Sequence, residues 1–158
     1  MSDQLQVRSH SDSSRRYFLK ASAAVGLAAG LAPAVHAGGT DTVRVALVGC
    51  GGRGTGAALN VLETKANARL VAMADAFGDR IDQSMKGLAA QVERDRVDVP
   101  ADRRFVGLDA YKHAIESGVD LVLLCTPPGF RPAQFEAAVQ AGKHVFLEKP
   151  VATDVPGV

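Results

Sequence analysis

Three glycines carry the first chemical signal in this chain. Gly49, Gly51 and Gly54 stand at G-x-G-x-x-G spacing within the run Gly49-Cys50-Gly51-Gly52-Arg53-Gly54. A backbone without side chains can bring its N–H groups close to a phosphate anion. Gly49 permits a tight turn, Gly51 lets the main chain approach a diphosphate, and Gly54 lets the next helix pack close to the preceding strand. That helix offers its unpaired N–H groups and the positive end of its dipole to the same phosphates. Asp75 lies 21 residues beyond Gly54, close to the roughly 20 at which a carboxylate accepts hydrogen bonds from an adenosine ribose. A carboxylate there would repel a 2′-phosphate, which favours NAD, while nearby Arg80 keeps NADP open. Two other readings stand beside these: a glycine-rich loop without a ligand, and an Asp75 that caps the following helix.

The elements that must position these residues follow from the apolar pattern. Val43–Val48 is a β-branched, apolar run that reads as a strand, and residues 53–63 read as the helix after the glycine turn. Residues 69–74 form a second strand ending at Asp75. From Gly78 to about Arg94, Ile81, Met85, Leu88 and Val92 recur at spacings of 3 to 4, which predicts a helix. Residues 95–104 are charged, contain Pro100 and read as a surface loop; residues 104–106 are a short third strand. Asp109 is placed to cap a helix over 110–117, with Gly118 as its C′ residue. Residues 119–125 are the most continuous apolar run, as expected of a strand covered on both faces of a parallel sheet. Thr126-Pro127-Pro128-Gly129 follows, and Pro132 suits the first turn of a helix that ends at Ala141 before Gly142. Residues 144–147 are a fifth strand, leading into Glu148-Lys149-Pro150.

This alternation predicts an α/β protein: a Rossmann-type doubly wound parallel sheet, expected to be incomplete at its C-terminal end. Strands one and four should be neighbours, with the ligand crevice at their C-terminal ends. The glycine loop, Asp75, Thr126-Pro127 and Glu148-Lys149 all fall on that edge, and their agreement argues against a loop without a ligand. Cys50 and Cys125 end neighbouring strands and read as small hydrophobes with free thiols, a bridge between them being the alternative in an exported, oxidising setting.

Composition sets further bounds. The chain has 158 residues, 47% of them hydrophobic and 22% charged, with a formal net charge of +1. No nucleic-acid partner is implied, and no metal-ligand set is read from the chain. Residues 1–37 carry a net charge of +2 and the remainder −1, so the slight basicity belongs to the N-terminal segment. There, Ser14-Arg15-Arg16-Tyr17-Phe18-Leu19-Lys20 precedes 15 mostly small, apolar residues and a small-residue exit at Val35-His36-Ala37. That pattern matches a secretory signal with the paired arginines of the twin-arginine route, and the apolar run is short of the about 20 residues a membrane span needs. The expectation is a signal peptide over 1–37, cut after Ala37 with Ala34 as second choice, a linker over 38–42, and an exported, periplasmic product that meets the twin-arginine machinery.

Gly49-Cys50-Gly51-Gly52-Arg53-Gly54, Thr126-Pro127-Pro128 and Glu148-Lys149-Pro150 together resemble the Gfo/Idh/MocA oxidoreductases, over about residues 43–158. The resemblance implies an NAD(P)-binding domain in which Lys149 lies beside the nicotinamide and the substrate hydroxyl, next to Glu148. It also implies that the Thr126-Pro127 loop contacts the nicotinamide ribose. Many members carry a histidine a few residues after the Thr-Pro pair; this chain has Arg131 near that place. Relatives continue into a substrate domain, so residues 43–158 are expected to be a cofactor half, joined to a sugar-like substrate and a homo-oligomer only in a longer protein.

An ammonium at Lys149 can hydrogen-bond the oxygen that changes from hydroxyl to carbonyl, and can relay its proton. The expected activity is therefore hydride transfer between a sugar or polyol C–OH and the cofactor. Two alternatives remain: a glycosidase of the same superfamily that uses bound NAD transiently, and a non-catalytic dinucleotide-binding module.

Overall fold

The computed structural model describes residues 42–158, and the signal-peptide reading falls outside these residues. Five strands form one sheet: β1 (Val43–Val48), β2 (Ala68–Asp75), β3 (Arg104–Val106), β4 (Leu121–Leu124) and β5 (His144–Leu147). All pairings are parallel, in the order β3-β2-β1-β4-β5. The predicted neighbours, β1 and β4, pair from Val45 opposite Leu121 to Val48 opposite Leu124.

Four helices cover the sheet: α1 (Gly52–Leu62), α2 (Gly78–Ala89), α3 (Ala110–Glu116) and α4 (Arg131–Gln140). Side chains alternate along the strands, interrupted in β2 by a register shift that puts Val71 and Ala72 in the same core, so one strand feeds two cores. Val45, Leu47, Leu70, Met73 and Leu123 bury against α1 and α2 through Ala58, Leu62, Ile81 and Leu88. Ala46, Val48, Ala72, Ala74, Val122 and Leu124 bury on the opposite face with Ala114 and Ile115 of α3 and Ala138 of α4. Each such Leu, Ile or Val contributes roughly 1.5–3 kcal/mol by leaving water. The second core is alanine-rich, which lets its helices lie close to the strands. A hydroxyl pair ties α1 to α2, with Thr55 Oγ1 2.8 Å from Ser84 Oγ.

The structure departs from expectation in a few places. Helix α2 ends at Ala89, five residues before the predicted Arg94, and a separate 3-10 turn occupies Arg94–Arg96. Residues 95–104 are not simply a surface loop. Val97 bridges to Leu70, the Asp98 N–H donates to the Leu70 carbonyl at 2.8 Å, and Val99 is buried in the first core. Asp109 occupies the N-cap position of α3 without capping it; its carboxylate pairs with Lys112 Nζ at 2.8 Å instead. Val119 is buried but lies ahead of β4.

At the C-terminal edge four of the five strands, β1, β3, β4 and β5, pass their ladder one rung into the loop beyond. The N–H groups of Gly49, Gly107, Cys125 and Glu148 donate to the carbonyls of Ala74, Asp75, Val48 and Leu124 at 2.8, 2.9, 2.8 and 3.1 Å. Four loops are thereby fixed at their first residue by main-chain bonds.

Candidate functional site

The three glycines of the turn meet different surroundings. Gly49 adopts φ +91°, which L side chains rarely adopt, and a Cβ there would lie 2.7 Å from the backbone of Cys125 and Thr126. A Cβ on Gly54 would meet the Gly49 carbonyl oxygen at 1.8 Å, so this glycine sets how closely α1 sits on the turn. Gly51 differs: nothing lies within 4 Å of where its Cβ would be. Gly51 is the N-cap of α1, no side chain caps that terminus, and its first turn holds no acid. The end of α1 is thus open and positive, as an anion site requires.

Asp75 serves this loop directly. Its Oδ2 accepts from the Cys50 N–H at 2.6 Å and its Oδ1 from the Phe77 N–H at 3.0 Å. The carboxylate therefore ties the β1 loop to the β2 loop, and its remaining lone pairs are available to hydroxyl donors. The capping alternative is met only in part, since Phe77 is the N-cap of α2 and no side chain caps that helix.

Across the edge, Arg131 organises the other two loops. It is only 5% exposed. Its Nε donates to the Thr126 carbonyl and its Nη1 to the Glu148 carbonyl, both at 2.7 Å, and Nη1 also reaches the Pro150 carbonyl. Thr126 Oγ1 bonds buried Gln134 Oε1 at 2.5 Å. One guanidinium thus stitches the Thr126-Pro127 loop to Glu148-Lys149-Pro150, whose Lys149–Pro150 peptide is cis. Sequence reasoning gave Arg131 no role. A signal was present: an arginine in the first turn of a helix opposes the dipole, which implies a duty elsewhere. Nothing in the sequence marks Gln134.

Glu148 is nearly buried, and its side chain pairs with the more exposed Arg53 through Nε and Oε2. The Arg53 hydrogen bond holds the Glu148 carboxyl below the usual carboxylate range, and the charges of Arg53 and Arg131 act in the same direction. Cys50 and Cys125 are free thiols. Burial raises both; Cys125 is pushed up to about 11, with Glu148 adding to the effect.

These loops enclose a cleft of about 890 Å³ at the C-terminal edge of the sheet. Of the sequence-predicted residues, Gly49, Gly51, Arg53, Asp75, Thr126, Pro127, Glu148 and Lys149 all line it. Cys50, Gly52 and Gly54 do not. Cys50 faces the core and gives its N–H to Asp75, Gly54 lies beneath the turn, and Gly52 lines a smaller hollow between α1 and α2. Arg80 reaches both spaces. Beyond β2 and β3, exposed Phe77 and Leu108 add an apolar stretch that the sequence reading missed. The cleft is within the size range of small-molecule sites. Its open helix end, the clearance over Gly51 and the carboxylate at Asp75 fit a dinucleotide.

A family model described as an oxidoreductase family with an NAD-binding Rossmann fold, Gfo/Idh/MocA, matches residues 43–158. The chain belongs to the Gfo/Idh/MocA family. It is 32% identical over 117 residues to inositol 2-dehydrogenase of Rhizobium meliloti (strain 1021), covering 74% of this chain and 31% of that protein. It is 29% identical over 156 residues to a glycosyl hydrolase family 109 protein of Solibacter usitatus (strain Ellin6076), covering 90% of this chain and 34% of the relative. Among solved structures, scyllo-inositol dehydrogenase from Lactobacillus casei, with bound NAD(H) and scyllo-inositol, superposes with a TM-score of 0.55 at 28% identity. That match covers 74% of this chain and 31% of the other. The chain thus spans about a third of the length of the relatives it matches. Its Gfo/Idh/MocA domain is the family's NAD-binding Rossmann fold, with the five strands, switch point and edge crevice expected of it.

Proposed function

We propose that this chain is the cofactor-holding part of an exported oxidoreductase that moves hydride between a sugar or polyol C–OH and NAD, with NADP second. The observation that carries this reading is the shared cleft: the open end of α1, Asp75, Thr126 and Lys149 face one space. In it the α1 terminus and Gly51 receive the diphosphate, and Asp75 accepts from the adenosine ribose. The Thr126-Pro127 loop, fixed by Arg131, supports the nicotinamide ribose. The bound nicotinamide supplies the hydride chemistry. Lys149, exposed and tethered only through its backbone, donates to the substrate oxygen and relays its proton.

In the complete protein, supplied with NAD and a panel of inositols and hexoses, substrate loss should be matched by NADH formation. Lys149→Ala should lower turnover by at least about a hundredfold. Turnover at the parent rate in that variant would refute the role given to Lys149, and a parent protein that turns over no member of the panel would leave a non-catalytic module.

One observation favours the glycosidase alternative. The Solibacter relative aligns over 90% of this chain, more than residues 43–158 alone supply. Hydrolysis of p-nitrophenyl glycosides with no added NAD and no net NADH would establish that chemistry in place of the dehydrogenase. The alignment therefore reaches into the segment ahead of residue 43, the segment that carries the Arg15-Arg16 pattern. For that part of the proposal, N-terminal sequencing of periplasmic material should read from Gly38, or from Val35 for the second site. An intact Met1 on exported protein refutes it.

A further inference from the structure

We propose that Glu148 is a positioning residue that holds Arg53 ready to bind the diphosphate, so that the two ends of the cleft are coupled through one ion pair. The inference rests on the dinucleotide reading above. Arg53 and Glu148 lie 95 positions apart, on α1 and just after β5, yet their side chains pair directly. The pair spans the cleft from the glycine turn to the residue preceding Lys149, and both members line it.

The atoms used decide the direction of the effect. Arg53 engages Glu148 through Nε alone. Its Nη1 and Nη2 have no partner among the described residues, so the donor-rich end of the guanidinium is left for an anion. Arginine can serve two acceptors at once because its donors form a rigid fork. Arg53 stands in the first turn of α1, two residues past Gly51, beside the N–H groups that favour phosphate. Its side chain is 62% exposed and long, whereas that of Glu148 is 8% exposed. Without an anchor, that chain would have to be ordered when the ligand arrives, which weakens binding.

Glu148 is itself fixed. Its Oε1 accepts from the Lys149 N–H at 3.2 Å, and its carbonyl accepts from Arg131. A nearly buried carboxylate facing a diphosphate would repel it unless Arg53 stood between them. The sign of Glu148's effect must therefore depend on whether Arg53 is present. A purely structural carboxylate has no such dependence.

The test is a double-mutant cycle on the complete protein, read by calorimetric binding of ADP-ribose and of adenosine. Arg53→Ala should weaken ADP-ribose by about tenfold, the worth of a charge-assisted hydrogen bond. Glu148→Gln should weaken it by a smaller factor. Adding Glu148→Gln to Arg53→Ala should cause no further loss, or a partial recovery, because the lone carboxylate is gone. Adenosine affinity should be the same in all four proteins. The proposal is overturned if Glu148→Gln alone leaves ADP-ribose binding unchanged or tighter, or if adenosine binding falls in parallel. Arg53→Ala, at an exposed position, keeps the test usable should Glu148→Gln fold poorly: parent-like ADP-ribose affinity in it also overturns the proposal. A parent protein that binds neither probe would refute the dinucleotide reading itself.

Discussion

Arg131→Met should destabilise the domain by about 3 kcal/mol, the largest loss expected from any single side chain lining the cleft. Methionine keeps much of the buried volume but none of the donors. The Thr126, Glu148 and Pro150 carbonyls would each lose a charged partner. A buried acceptor left without a partner costs about 1–3 kcal/mol; water entering from the cleft recovers part of that, which keeps the total near the lower end. In thermal unfolding this corresponds to a fall on the order of 10 °C. Folded protein, assayed well below its new midpoint, should also bind NAD more weakly, because the two loops at the nicotinamide end lose their common tie. A midpoint within a degree or two of the parent would show that those carbonyls find other donors, and that Arg131 does not hold the loops.

The second large effect separates two glycines of one motif. Gly54→Ala would place a methyl carbon 1.8 Å from the Gly49 carbonyl oxygen, with Gly49 C at 3.0 Å. Both obstacles are backbone, so α1 must move away from the turn. Overpacking of this kind costs typically 1–3 kcal/mol and more where the backbone resists; about 3 kcal/mol is expected, together with loss of NAD binding. Gly51→Ala should leave the fold nearly untouched. Gly51 already adopts φ −69°, open to any residue, and nothing lies within 4 Å of the added carbon. Its N-cap position limits the cost to about 1 kcal/mol. Yet that open space is where the main chain must approach the diphosphate, so NAD affinity should fall at least about tenfold. Urea unfolding and NAD titration of both variants test the pair. If Gly51→Ala binds NAD like the parent, the open end of α1 is not the diphosphate site.

The parts of the fold legible in the sequence were those set by local pattern. Val43–Val48 and the run over 119–125 read as strands because unbroken apolar stretches suit a sheet covered on both faces, and the second of them is observed over Leu121–Leu124. Gly49 and Gly54 announced their roles by spacing alone. Legibility failed where contacts join distant residues. Nothing near Arg53 points to Glu148, and nothing near Thr126 points to Arg131 reaching Pro150. Helix α2 read too long because Val92 continues the 3-to-4 spacing although the chain leaves the helix at Ala89; periodicity cannot see that Val97 and Val99 pull the next segment along β2. Asp109 read as a cap because its type and place allow it, but Lys112, one turn on, competes for the same carboxylate.

The rungs that carry the sheet ladder one residue into four of the edge loops bear on how such a site can change over generations. Gly49, Gly107, Cys125 and Glu148 are fixed there through main-chain N–H groups, so the sheet holds these loop origins by bonds that do not depend on the side chains facing the cleft. The residues that touch a ligand can then be exchanged one at a time without redrawing the edge. This separation of placement from equipment suits a sequence similar both to an inositol 2-dehydrogenase and to a glycosyl hydrolase family 109 protein. New chemistry on this edge calls for new side chains on an old frame.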